Sequence, residues 1–225
     1  MDAGRGDAIP GDADRDVVRE DAEDVPVTIP LSSWLDKLAR PKGAPGGGAA
    51  CGVLAAIGAA LLHMVAEYTR DSPDAAACAE RVAALRVRAL EAAESDGVVS
   101  AELGAALRPS DDPGRDERVR TAAVAGADSS VALGRIAAEL VDELALLREI
   151  GNTSLRADLE VAGEALSAAL GSARVNIVAN AKSVQAHRHE DDGLDEWFAR
   201  TTAAAAQLDA ANRRTRELMS ADSPP

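Results

Sequence analysis

Ala49-Ala-Cys-Gly-Val-Leu-Ala-Ala-Ile-Gly-Ala-Ala-Leu-Leu-His-Met-Val-Ala-Glu-Tyr68 is the stretch that decides the fold. Alanine is the best helix former and leucine is close behind, so this is a helix, and until its last residues none of its faces is polar. A helix that is apolar all round is covered on all sides. In a chain this short, that points to a central helix or a subunit interface. Residues 46–65 are long enough to suggest a membrane span. They are built mostly of Ala and Gly, contain His63 and lack a basic flank, so the expectation is a helix buried in protein.

The rest of the chain agrees with that start. Fifty of its 225 residues are alanine and four are aromatic. A sandwich or barrel needs β-branched and aromatic residues on its pleated surfaces, which excludes a mainly β protein. Before the apolar helix, Pro30-Leu-Ser-Ser-Trp-Leu-Asp-Lys-Leu-Ala39 reads as a short amphipathic helix with Leu31, Trp34, Leu35 and Leu38 on one face. Pro41-Lys-Gly-Ala-Pro-Gly-Gly-Gly48 between them is a loop. Asp71-Ser-Pro73 starts a long helix that ends near Leu107, with Ala77, Val82, Leu85, Val87 and Leu90 among its apolar positions. Arg108-Pro-Ser-Asp-Asp-Pro-Gly114 is a second loop. Helices are then expected over 115–150, kinked near Gly126 to Ser130, over 154–186 and over 194–219, with Gly151-Asn152 as a C-cap pair. The fold class is all-α, a multi-helix bundle, with a dimer expected to pack through the Ala/Gly-rich helix. Residues 1–27 carry nine acidic and three basic side chains and read as a disordered leader. Residues 28–220 read as one helical domain and 221–225 as a frayed tail.

The net charge of −14 repels phosphate backbones and anionic membranes, so nucleic-acid and membrane partners are not expected. Residues 1–27 have no apolar run of the kind a secretory signal needs. Cys51 and Cys78 fall in alanine-rich helical stretches and read as buried free thiols. A cytoplasmic location is expected on both grounds.

Four features could carry chemistry, and each also has a structural use. Pro45-Gly46-Gly47-Gly48 opens a helix, where free amides and the helix dipole suit an anion; otherwise it is a turn. Asn152, after Gly151, could cap a helix, and Asp158 could be a charge in the first turns of the next one. Asn176 and Asn180, four apart in Asn176-Ile-Val-Ala-Asn-Ala-Lys-Ser183, share a helix face. Paired amides can read a flat heterocycle or bind a neighbouring helix. His63 lies in the apolar helix, while His187 and His189 sit in a charged helix end and read as solvated. No cluster has zinc spacing, so no metal is expected.

In this order, the residues resemble the cyclodeaminase/cyclohydrolase family. The resemblance spans about 31–190: Trp34-Leu-Asp-Lys-Leu-Ala39, Pro45-Gly-Gly-Gly48, Gly58-Ala-Ala-Leu61, Met64-Val-Ala66 to Thr69, Asp96, Gly151-Asn152, Asp158 and Asn176…Ser183. It implies a helical bundle that dimerises and a tetrahydrofolate derivative as substrate or one-carbon donor. The folate would be bound by Pro45, Gly46, Gly47, Gly48, Asn152, Asn176, Asn180 and Lys182, with Lys182 toward the glutamate tail. Asp158, Asp96 and His63 are the candidates for moving the proton. The implied reaction is hydrolysis of 5,10-methenyltetrahydrofolate to 10-formyltetrahydrofolate, or deamination of 5-formiminotetrahydrofolate. Three positions depart from the pattern: Ala49 replaces a serine, Glu67 an asparagine and Val178 a basic residue. They motivate a second expectation, transfer of the one-carbon unit to a second small-molecule acceptor. A third is a non-catalytic helical dimer or scaffold.

Overall fold

A computed structural model describes residues 29–41, 44–69, 71–189 and 192–220. The expected leader and tail lie outside them. The described residues form six α-helices: α1 (Leu31–Leu38), α2 (Gly47–Tyr68), α3 (Pro73–Ala106), α4 (Arg115–Ile150), α5 (Arg156–Ala186) and α6 (Asp195–Ser220), with a 3-10 turn at Thr153–Leu155. Short connections make α2 to α6 an up-and-down bundle. Its "head" is where α2 begins and α5 ends; its "foot" is where α2 ends and α5 begins.

Local chemistry sets the boundaries. Ser72 caps α3 by accepting a hydrogen bond from the Ala75 amide at 3.3 Å, with Pro73 in the first turn. α4 is one continuous helix through Gly126 to Ser130, where the sequence suggested a kink. Gly151 ends it in an extended conformation, φ −69°, rather than the left-handed one a C-cap glycine usually takes. Space is what requires glycine here, because a Cβ would sit 2.3 Å from the Leu147 carbonyl oxygen.

α2 packs against α3, α4 and α5, and small residues let it come close. A Cβ on Gly52 would lie 2.7 Å from both the Ala89 carbonyl oxygen and the Ala93 Cβ. Leu62, Leu133, Leu140, Leu144, Leu166 and Leu170 fill the space around it. Burying each leucine contributes about 1.5–3 kcal/mol before the entropy of ordering is subtracted. The cover is not complete. α2 is long and apolar enough to span a membrane, but three sides are packed in the bundle and the fourth is left open by the described residues, with Ile57 45 % exposed. Beside that open side, α5 presents Val161 and Val175, 56 % and 61 % exposed. In α1 only Trp34 is buried, packing with Ala44 and Ala49, while Leu31 and Leu35 are exposed. Val87 is exposed as well.

α6 closes the bundle against α4 and α5. Leu208 fills the space over Gly134 and Met219 that over Gly163. Trp197 Nε1 donates to Asp128 at 3.1 Å. Arg81 clamps α3 to α4 by donating to both carboxylate oxygens of Glu143, at 2.6 and 2.7 Å. His187, expected to be solvated, holds the end of α5 to the start of α4 through Asp116, Nδ1 to Oδ1 2.9 Å. His189 is exposed.

Candidate active site at the head of the bundle

The glycines that open α2 are pressed against a buried carboxylate. Asp96 of α3 is 3 % exposed. Its Oδ1 accepts from Ser129 Oγ at 2.8 Å and its Oδ2 from Ser100 Oγ at 3.1 Å. The amide of Ala49, the third residue of α2, donates to it as well. A Cβ on Gly48 would lie 2.2 Å from Asp96 Oδ2, so the approach needs glycine. The dipole end that the sequence offered to a bound anion is therefore used by the protein's own side chain. Burial pushes the Asp96 carboxyl above the usual carboxylate range, and the two hydroxyls and the amide pull it back.

The asparagines face this turn from α5. A Cβ on Gly47 would lie 3.4 Å from Asn176 Oδ1, and one on Gly126 of α4 would lie 2.9 Å from Asn180 Nδ2. Gly126 and Ser129 are three apart and share a face of α4, so this face meets Asn180 and holds Asp96. Four helices thus converge at the head: α2 with its glycines, α3 with Asp96 and Ser100, α4 with Ser129, and α5 with Asn176 and Asn180. Gly46 stands at the rim, 3.7 Å from Ser100 Oγ by the same Cβ measure. Pro45 is buried behind the turn. From Gly47 and Asn176 a cleft of about 640 Å³ runs along α5 to Asn212 and Arg216 of α6, a size that suits a small molecule.

The other sequence candidates lie elsewhere. His63, half-buried, has Nε2 3.8 Å from Glu67 Oε1 in the last turns of α2. Asn152 Oδ1 accepts from the Ser154 amide at 3.0 Å, and its own amide donates to Thr69 Oγ1 at 3.2 Å. Asp158, half-buried, is in the first turn of α5. All three are at the foot. The 22 residues of α2 put about 33 Å between its ends at 1.5 Å per residue. Lys182 is exposed on the other side of α5, lining a second groove with Val178, Phe198 and Thr201. It does not join the asparagines.

Sequence reasoning missed Ser100, Ser129, Asn212 and Arg216. Ser100 was within reach, since it lies four residues after Asp96 on one helix face. The other three come from distant parts of the chain, and nothing local marks them. The thiols do not enter the site. Burial pushes Cys51 and Cys78 up to about 12, with the nearby carboxylates Asp96 and Glu143 adding to it, so both stay protonated and unreactive. Among the described residues, no three His, Cys, Asp or Glu side chains are grouped to hold a metal ion.

A helical bundle in which the start of one helix meets a buried carboxylate and a pair of amides from its neighbours, beside a cleft, has the form of an all-α enzyme for a small molecule. The family model for formiminotransferase-cyclodeaminase matches residues 30–197, and the chain belongs to that family. It is 29 % identical over 179 residues to a methenyltetrahydrofolate cyclohydrolase from Methylorubrum extorquens, covering 74 % of this chain and 86 % of that protein. The crystal structure of formiminotetrahydrofolate cyclodeaminase from Thermotoga maritima has the same fold. It superposes with a TM-score of 0.71 at 23 % identity, covering 86 % of this chain and 96 % of that one. The protein is an enzyme of the cyclohydrolase/cyclodeaminase kind. Val178 and Ala49 can now be placed: Val178 lines the groove away from the head, and Ala49 is buried against Trp34.

Proposed function

We propose that this enzyme hydrolyses 5,10-methenyltetrahydrofolate to 10-formyltetrahydrofolate, with the reacting carbon held at the head of the bundle. The observation that carries this reading is the buried Asp96 carboxylate, held by Ser100 and Ser129 behind the glycine turn and next to Asn176. The similarity to the Methylorubrum extorquens cyclohydrolase supports this choice of substrate. The substrate's bridging carbon is cationic and already electrophilic. Water adds to it and gives up a proton. The carbon–N5 bond then breaks as N5 takes up a proton and the new hydroxyl loses one, so the net yield is the formyl product and one proton. Asp96, its affinity for a proton raised by burial, accepts the proton of the adding water through Ser100, which lies between it and the rim at Gly46, and returns it to N5, while the hydroxyl proton leaves to solvent. Asn176 and Asn180 present amide donors and acceptors to the pterin ring.

The reading extends to a dimer. The open apolar side of α2, continued by Val161 of α5, is the kind of surface that a second copy covers. A two-fold axis perpendicular to α2 sets the two copies of the helix antiparallel. The foot of one copy, with His63, Asn152 and Asp158, then stands over the head of the other. This arrangement accounts for candidates lying at opposite ends of one protomer.

The test follows the near-ultraviolet absorbance of 5,10-methenyltetrahydrofolate near neutral pH in a weakly nucleophilic buffer. Decay well above the buffer rate, lost in Asp96→Asn, is the expected result. No acceleration, but release of ammonia from 5-formiminotetrahydrofolate, would assign the other reaction of the family instead. Folate binding with neither reaction would leave transfer to a second acceptor. The scaffold alternative predicts no folate binding at all.

A further inference from the structure

The cleft that starts at Gly47 and Asn176 ends on α6, beyond residue 197, where the family match stops. Its far end is built around Arg216. The guanidinium Nε donates to Ser167 Oγ at 3.4 Å. Ser167 is buried and fixed in turn: its hydroxyl donates to Asn212 Oδ1 at 2.6 Å, and Asn212 Nδ2 donates back to the Ser167 carbonyl at 3.3 Å. Gly171 leaves the cleft floor open, with Asn212 Nδ2 the one atom near where its Cβ would be, at 3.6 Å. Neighbouring arginines are used differently. Arg174 is paired with Asp209 at 2.7 Å and Arg214 with Asp142. Among the described residues Arg216 forms no ion pair. Glu164 lines the same cleft, and no ion pair within 4 Å joins it to Arg216. Arg216 is exposed; its Nε rests on Ser167, and its two terminal nitrogens are left to pair with a carboxylate, which the planar guanidinium suits.

We infer that Arg216, positioned by Ser167 and Asn212, binds a carboxylate of the substrate's glutamate tail. This rests on the folate reading above. Along α5 the cleft covers Glu164 to Asn176, twelve residues and therefore about 18 Å at 1.5 Å per residue. That length suits an elongated substrate with its ring at the head and its acidic end at Arg216. It also gives the tail a different receptor from Lys182, which lies on the far side of α5. In a protein of net charge −14, an exposed cation lining the cleft has further value, because the overall field opposes an anionic substrate.

The experiment compares wild type, Arg216→Ala, Arg216→Lys and Arg214→Ala on two substrates. One is 5,10-methenyltetrahydrofolate, and the other is the analogue in which a neutral amide replaces the glutamate. Arg216→Ala is expected to raise KM for the natural substrate by about 10- to 100-fold with little change in kcat. Arg216→Lys recovers part of this loss, and Arg214→Ala, outside the cleft, behaves as wild type. On the amide analogue wild type and Arg216→Ala have the same KM. Calorimetric binding of tetrahydrofolate follows the same order. If wild type turns over and Arg216→Ala keeps the wild-type KM and affinity on both substrates, this inference is overturned while the folate reading stands. If wild type neither binds tetrahydrofolate nor accelerates ring opening, the folate reading itself fails.

Discussion

The two ends of α2 were equally prominent in the sequence, but the fold treats them differently. At the head, Gly46 to Gly48, Asp96, Asn176 and Asn180 come together from three helices, and α4 adds Ser129. At the foot, Asn152 caps a short turn and binds Thr69, while His63 and Asp158 stay half-buried and loosely partnered. The head has the buried charge and its dedicated donors, the features expected where a proton must be moved. The foot has polar groups without a centre of their own, beside an apolar surface that no other described residue covers. The lesson is that order along the chain ranks candidate residues without saying which of them meet.

The largest expected effect separates the ends by activity. Asp96→Asn keeps the shape of the cap but cannot take up a proton, so kcat should fall by about 10²- to 10³-fold with a near-native melting temperature. A variant with more than a tenth of wild-type activity would move the chemistry away from the head.

The next effect is on stability. Gly48→Ala drives a methyl group into the Asp96 carboxylate, which is buried and held by Ser100 and Ser129. A loss of about 2–3 kcal/mol is expected in chemical denaturation. Gly163→Ala meets chiefly the flexible side chain of Met219, with Leu144 at an ordinary contact distance, and should cost less than about 1 kcal/mol. Equal losses would mean that the head is not specially constrained.

Asn180→Ala and Asn176→Ala each remove amide contacts and should lower kcat/KM by about 10-fold, equivalent to 1–2 kcal/mol. Lys182→Ala, on the other side of α5, should change it by less than about 2-fold. Reversal of that order would shift the ring site to the second groove.

The smallest effects are in the pH dependence of stability, and two buried carboxylates should differ in sign. Asp96 has its pKa raised in the fold, so its ionised form is penalised, and the penalty grows as pH rises from 3.8 through its folded value. The stability of Asp96→Asn relative to wild type should therefore improve over that rise. For Glu143, burial raises the pKa but the Arg81 and Cys78 hydrogen bonds outweigh it, so the value is lowered overall. Its stabilisation is complete above 4.5 and is lost as pH falls through the depressed value. Glu143→Gln should therefore lose ground to wild type as pH rises, by about 1–2 kcal/mol given the half-exposed Arg81. Denaturation midpoints between pH 3 and 7 check both signs.

Much of the fold was legible because alanine and leucine specify helices locally, and Ser72-Pro73 and the loop at 108–114 fall where local chemistry ends them. The exposure of Leu31, Leu35 and Ile57 was not legible, because periodicity reports a face and not what covers it. In the site, the glycine turn, Asp96 and the two asparagines could be picked from residue type and spacing. The capture of the α2 amide by Asp96 could not, since it depends on how two helices approach at Gly48 and Gly52. Ser129 and Arg216 were invisible for the same reason, each being brought in by a helix distant in sequence.

If, as proposed, the head of one copy and the foot of another form one site, two variants should complement each other. Asp96→Asn and Asp158→Ala, each expected to lose most of its activity alone, are mixed, unfolded and refolded together. In a random mixture half the dimers contain one of each, and each of those has one intact site of two, so about a quarter of wild-type activity should return. A mixture as inactive as its components, or an Asp158→Ala variant that is fully active alone, would contradict the shared site.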